Sequence, residues 1–137
     1  MKTENLVARA LRLIQVIDPL QSVKPQDMAT GIEALNGMMQ RIEADGIAVG
    51  WSPVANPSDD LPLPDEALQG IAANLAIVLS PEYGVTPLPT VQAMALQGME
   101  SLMRDVMVAT PIQPILAIPR PEGYNGATLN GESWYVG

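Results

Sequence analysis

The sequence of 137 residues contains no cysteine, no histidine and no phenylalanine. Without cysteine the chain has no disulfide scaffold, no thiol nucleophile and no thiolate-ligated zinc or iron–sulfur site. Without histidine it has no imidazole general base, no serine–histidine–aspartate triad and no histidine-ligated metal. Only carboxylates, hydroxyls and amides remain for chemistry, so we expect no cofactor. This composition fits an interaction protein better than an enzyme.

Positive charge and long apolar runs are also scarce. Seven Lys and Arg stand against 15 Asp and Glu, which gives a formal net charge of −8. Because sequence-independent affinity for nucleic acids comes from cations that neutralise phosphates, this balance argues against a protein that grips DNA. The longest uncharged apolar run, residues 67–79, is too short to span a bilayer, and the N-terminus does not resemble a signal peptide. We expect a soluble protein that is made in the cytoplasm and contacts no membrane.

Proline and glycine, with 13 and 11 copies, divide the first part of the sequence into four helical segments. The first segment begins near Thr3, which we interpret as its N-cap, and continues until Pro19 stops it. The second begins at Pro25, where the missing amide proton costs nothing. The third, residues 65–79, is apolar on nearly every side, which predicts a helix that is surrounded by others. The fourth covers about residues 89–109.

Helices two and four carry apolar residues on more than one side. One apolar stripe in each helix consists of Met28, Ile32, Leu35, Met39 and Ile42 in the second, and of Val91, Ala95, Gly98, Leu102 and Val106 in the fourth. Beside the first stripe, Gly31 costs roughly 1 kcal/mol of helix propensity, for which close approach of another helix would compensate. Beside the second, Leu96, Met99 and Met103 form another apolar stripe. This width predicts a protein that buries surface against neighbouring subunits.

Methionine is common, with eight copies, and seven of them fall within the predicted helices. In a chain without phenylalanine we expect most of these flexible side chains to fill gaps in the core. The alternative is that some of them line an adaptable contact between copies.

Two pairs of neighbouring acids, Asp59-Asp60 and Asp65-Glu66, flank a proline-rich loop. A pair of carboxylates could act as acid and base in glycoside hydrolysis, and this is the one route to an enzyme that the sequence offers. Acids in a loop or in the first turn of a helix are more often solvated or capping groups. Nothing in the sequence indicates a buried pair with shifted pKa values, so we expect no catalysis.

Arg9 and Arg12 lie three residues apart on one face of the first helix. Two arginines could touch a phosphate, but they do not make a basic patch. A solvated face, or acidic partners on another subunit, explains them better.

The last segment, residues 111–137, contains four prolines and four glycines, too many helix breakers for a helix. It has only three charges, whereas a solvated disordered tail is normally charged and poor in apolar residues. The segment therefore either packs on its own bundle or docks on another chain, with Trp134 and Tyr135 as aromatic anchors. The candidate contact residues are Ile112, Ile115, Leu116, Ile118, Tyr124, Trp134 and Tyr135.

A chain of this length can bury one ordinary core. We predict a mainly α protein, with a four-helix bundle-like core followed by a long extended C-terminal arm. The helical domain covers residues 1–110 and the arm covers residues 111–137.

Three stretches carry a resemblance to a known family. They are LVARALRLIQVID at residues 6–18, ALNGMMQRIEADGIAVG at residues 34–50 and NLAIVLSPEYG at residues 74–84. In this order and spacing they resemble the head-completion, or packaged-DNA stabilisation, proteins of tailed phages, which are head-to-tail adaptors or tail accessory factors of short-tailed viruses. The residues that match the family pattern are Leu35, Asn36, Met38, Met39, Asp45, Gly46, Ile47, Asn74, Leu75, Ala76, Pro81, Tyr83 and Gly84.

The resemblance implies a structural virion protein in the neck of the phage. Copies of such proteins form a ring, typically of twelve, beneath the portal protein, and the ring extends the DNA channel, retains packaged DNA and receives the tail. The implied partners are neighbouring copies, the portal protein and a tail nozzle or tail tube protein, while DNA passes through the lumen without specific binding. Similar proteins reach the portal or adjacent adaptors with extended C-terminal arms.

Two other functions remain open from the sequence. One is a carboxylate-dependent cell-wall hydrolase, and the other is a small helical cytoplasmic regulator that binds one protein partner. The adaptor is the function that we expect, because it uses both the wide apolar faces of the helices and the apolar arm.

Overall fold

Four α-helices carry the fold over residues 1–109, the part of the chain that this computed structural model describes. The helices are α1 (Thr3–Leu13), α2 (Pro25–Ala44), α3 (Leu68–Leu79) and α4 (Pro89–Ala109), and short 3-10 helices at Asp65–Ala67 and Ser80–Tyr83 flank α3. The predicted mainly α fold is confirmed. The arm lies outside the described residues, so the domain boundary after residue 110 stays a prediction.

The central helix is α3, which contacts each of the other three helices. Its buried residues are Leu68, Ile71, Ala72, Ala73, Leu75, Ala76 and Leu79. The prediction that this apolar helix is surrounded by others is therefore confirmed. The packing is uneven, because α1 and α2 contact each other as well as α3, whereas α4 packs mainly on α3 and the 3-10 helix before it. As a result, α4 lies away from the α1–α2 pair.

The contact between α1 and α2 depends on a glycine. A Cβ atom placed on Gly31 would lie 3.2 Å from Cγ2 of Val7 and closer still to its Cγ1. The missing side chain lets α1 approach α2, and Val7 is fully buried at this contact. The compensation that we predicted for this interior glycine is confirmed.

The contact between α3 and α4 is closer, because backbone meets backbone. A Cβ atom on Gly70 would lie 2.5 Å from Cα of Gly98. One turn further along α3, Nδ2 of Asn74 donates to the carbonyl oxygen of Gly70 at 2.8 Å and to that of Ala95 in α4 at 2.9 Å. This hydrogen bond between the helices fixes their relative position next to the glycine crossing.

The predicted end of the first helix is wrong, since α1 stops at Leu13 and not before Pro19. Gln15 adopts a left-handed backbone with φ of 62°, and the amides of Gln15 and Val16 donate to the carbonyls of Arg12 and Leu11. These two hydrogen bonds form a Schellman motif. The motif normally uses glycine, as it does after α2 at Gly46 with φ of 97°, so glutamine gave no signal in the sequence.

The predicted role of Thr3 is also wrong. Lys2 is the N-cap of α1, and Thr3 is the first helical residue. The side-chain oxygen of Thr3 points to a distant loop, where it donates to the carbonyl oxygen of Asp59 at 2.9 Å. The first helical amides are satisfied by the same loop, because Thr3 N donates to Asp59 O and Glu4 N donates to Pro57 O. The start of α1 is therefore capped by tertiary structure.

Candidate assembly surfaces

The loop acid Asp59 holds the backbone of its own loop. Its Oδ2 accepts hydrogen bonds from the amides of Asn56 at 2.9 Å and Ala55 at 3.0 Å. These bonds stabilise the charged carboxylate, so they lower the pKa of Asp59 below its ordinary value of 3.8. A general acid in glycoside hydrolysis needs the opposite shift. The geometry gives Asp59 a structural role.

The other acids of the two pairs have different neighbours. Asp60 forms an exposed ion pair with Lys2 at 3.0 Å, the kind of contact that contributes little to stability. Glu66 and Asp105 both line a cleft between α3 and α4. Within residues 1–109 no group of three acids is close enough to hold a metal ion. The structure thus places Asp59 and Asp60 at the start of α1 and Glu66 beside α4.

One face of α4 is apolar and exposed. Leu96, Met103 and Met107 are 64%, 46% and 61% exposed, and Met99 is half-buried. Their spacing of three, four and four residues places these side chains along a single face, which we call the α4 stripe. The expectation that most helical methionines fill the core is right for Met28 and Met39, which are buried, but wrong for Met103 and Met107.

A second exposed surface lies on the outer side of α1. A groove there is lined by four residues of α1, by the turn at residues 19–23 and by Met28, and we call it the α1 groove; the residues of α1 are Glu4, Asn5, Ala8 and Arg12. Leu20 in this turn is 100% exposed. Over residues 1–109 the ion pairs are Lys2 with Asp60 and Arg41 with Asp45, so Arg12 has no carboxylate partner in that part of the chain.

The comparison with known proteins identifies the family. The model of the family described as P22 tail accessory factor matches residues 1–137, the whole chain. The chain belongs to the P22 tail accessory factor family. It is a tail accessory structural protein of a short-tailed phage and associates with virion components. None of the helices that the structure describes is long and apolar enough to cross a membrane.

Residues that carried the resemblance to tail accessory factors hold the scaffold together. The side chain of Asn36 makes two hydrogen bonds to the backbone of Val54. Its Nδ2 donates to the carbonyl oxygen of Val54 at 2.8 Å, and its Oδ1 accepts from the backbone amide of Val54 at 3.0 Å. The hydroxyl of Tyr83 donates to Oδ1 of Asp27 at 2.9 Å. Burial and this hydrogen bond raise the pKa of Tyr83 to about 12. These residues hold together the elements that carry the surfaces of the tail accessory factor.

The seven arm residues that we predicted as partner contacts all lie outside the described residues, from Ile112 to Tyr135. Sequence reasoning found most of the α4 stripe but missed Leu20. A single leucine between Pro19 and Gln21 belongs to no periodic pattern, so only the fold shows that it is fully exposed beside Arg12. Met107 was assigned to the helix, and its position one turn beyond Met103 was the signal for its place in the stripe.

Proposed function

We propose that this tail accessory factor is a head-to-tail adaptor of the phage neck. Copies assemble as a ring, typically of twelve, beneath the portal protein, where they extend the DNA channel, retain packaged DNA and provide the attachment site for the tail. The observation that carries the proposal is the α4 stripe, an exposed apolar face on a subunit whose core is already well filled. Large exposed apolar faces of this kind mark interaction sites.

The arm supplies the second attachment in this proposal. Residues 111–137 reach the portal protein or a neighbouring copy through Ile112, Ile115, Leu116, Ile118, Tyr124, Trp134 and Tyr135. Their apolar and aromatic character supports this role, because such side chains dominate the energy of interfaces. A tail nozzle or tail tube protein occupies the other side of the ring.

The charge of the chain suits a channel. Each copy carries a net charge of −8, and a ring multiplies that charge around its lumen. A negative wall repels DNA, so that the genome passes without specific binding. The mechanism is geometric and uses neither a cofactor nor catalysis.

Measurement of mass tests the adaptor directly. The purified chain is examined alone and mixed with portal protein by native mass spectrometry. We expect a complex that contains one portal and a ring of copies. A stable monomer or dimer that does not bind the portal protein contradicts the adaptor and favours the small helical regulator.

A hydrolase assay separates the remaining alternative. The purified chain is incubated with cell-wall peptidoglycan, and release of soluble fragments is compared between the wild type and Glu66→Gln, the acid at the α3–α4 cleft. We expect no activity above buffer in either sample. Activity that is lost in Glu66→Gln, with the helical circular dichroism unchanged, contradicts a purely structural protein.

A further inference from the structure

We propose that the α4 stripe of one copy packs into the α1 groove of the next copy. This inference rests on the proposed ring and states which two surfaces build it. The occupant of the stripe is thus a second copy of this chain, and each subunit uses two different faces.

The arrangement of helices supports a contact of this kind. A ring needs a heterologous interface, in which one face of a subunit meets a different face of its neighbour. The α1 groove belongs to the α1–α2 side of α3, and the α4 stripe belongs to the helix that packs on α3 away from this pair. The two surfaces therefore do not overlap, and one subunit can use both at the same time.

The apolar parts of the two surfaces complement each other. The stripe offers Leu96, Met103 and Met107, and flexible methionines adapt well to an irregular partner. The groove offers Leu20, which is fully exposed in the isolated subunit, beside Met28 at its base. Packing these side chains together removes exposed apolar area from both subunits.

The charges at the edges match as well. Glu100 lies one turn after Leu96 along the edge of the α4 stripe and is exposed. Arg12 lines the α1 groove and is also exposed, and neither residue has an ion-pair partner within residues 1–109. Each surface also carries the opposite charge, since Glu4 lines the groove two turns before Arg12 and Arg104 follows Glu100 by one turn. Two stripes packed face to face would leave Arg12 unpaired and would close after two copies. Stripe against groove lets Arg12 meet Glu100 and, unlike stripe against stripe, continues beyond two copies.

Cross-linking in phage particles tests this contact. The chain has no cysteine, so the thiols of a Leu20→Cys/Leu96→Cys variant are the only ones in it. Particles are grown with this variant, treated with a short bis-maleimide and analysed on a denaturing gel. We expect a ladder of dimers, trimers and higher multiples, because each subunit links to both neighbours.

The controls separate this contact from other arrangements. Each single variant should remain monomeric, because stripe meets groove and neither surface meets itself. A Leu20→Cys/Val78→Cys variant should also give no ladder, since Val78 is exposed as well, 42% against 64% for Leu96, but lies on α3 outside the stripe. A dimer from Leu96→Cys alone, or a monomer band alone from the double variant, overturns the inference.

The same particles distinguish the inference from the proposed function. If wild-type particles lack the chain altogether, the adaptor is wrong. If the chain is present but the ladder is absent, the ring uses other surfaces.

A charge exchange gives a second measurement without cysteines. We expect Arg12→Glu and Glu100→Arg each to lower the number of copies per particle about tenfold, because like charges then meet at the interface. The combined variant should restore occupancy. Equal loss in the combined variant, with normal helical circular dichroism, contradicts the pairing of Arg12 with Glu100.

Discussion

At the crossing of α3 and α4, two residues without side chains determine how closely the helices pack. Gly70 and Gly98 touch through their Cα atoms, and Asn74 bonds across the gap beside them. A close backbone contact of this kind tolerates no added side-chain atoms, because a backbone cannot move aside as a flexible side chain can.

Gly98→Ala is expected to destabilise the protein by about 2 kcal/mol. The added methyl group would meet the Cα atom of Gly70, and such overpacking outweighs the gain in helix propensity of about 1 kcal/mol. The free energy of unfolding is measured by urea denaturation. Gly37→Ala in α2 is the matched control, since nothing lies within 4 Å of its Cβ position. It should stabilise the protein by about 0.5–1 kcal/mol, because alanine favours a helix interior more than glycine does. Equal effects of the two variants would refute the close crossing.

The lowered pKa of Asp59 predicts how the stability of the protein depends on pH in the acid range. Its pKa is lowered in the folded state by bonds from the amides of Asn56 and Ala55, so its contribution is present above pH 3.8 and is lost as the pH falls below that value. Asp59→Ala should therefore be less stable than the wild type at neutral pH, and the difference should shrink in acid. Thermal melts at a series of pH values measure it. A difference that is constant with pH would show that the carboxylate charge has no part in holding the loop.

Among the elements, the 3-10 helix after α3 is attached to the start of α2 by a side-chain hydrogen bond. Tyr83 donates to Asp27, which lies 56 residues earlier in the sequence. This bond explains why tyrosine occurs at the end of the NLAIVLSPEYG stretch, where an apolar residue would also fit a turn.

Tyr83→Phe should cost about 0.5–1.5 kcal/mol near neutral pH, the usual contribution of one hydrogen bond. The folded-state pKa of about 12 lies above the ordinary value of 10.0, so the stabilisation is complete below pH 10 and is lost as the pH rises towards 12. Urea denaturation of both proteins at several pH values tests this. If the difference does not decline above pH 10, the phenol does not titrate as the structure implies.

The adaptor proposal makes the arm responsible for attachment to the portal protein. Deleting residues 111–137 should leave the helical circular dichroism and a cooperative melt largely intact, because the core residues that the structure describes come from residues 6–102. Attachment to portal protein should be abolished, which a pull-down measures. Loss of the folded state on deletion would show that the arm belongs to the core of its own subunit.

At the scale of the whole molecule, one set of apolar side chains stabilises the fold and another set is available for assembly. Among residues 1–109, α3 is buried among the other helices, whereas α4 is covered on only one side. The stripe therefore adds little to the stability of a single subunit. Substitutions there should affect assembly far more than the melting temperature, in contrast to Gly98→Ala.

Much of the fold could be read from the sequence because its signals are local. Pro25 and Pro89 begin α2 and α4 as predicted, and Gly46 ends α2. The stripe from Met28 to Ile42 in α2 shares one face, as the helical period predicts, and the structure buries that face. The family could also be recognised from the sequence, because matching residues such as Asn36 and Tyr83 keep fixed spacings.

Contacts between distant parts of the chain decided the rest. No local pattern predicted that a left-handed Gln15 ends α1. Nor did one predict that the loop at Asp59, which is 56 residues from Thr3 in the sequence, caps the start of that helix. Nor could periodicity tell which of two apolar stripes on α4 faces inwards, because a helix repeats in the same way on every side. Only packing against α3 made Leu102 part of the core and left Met103 on the surface.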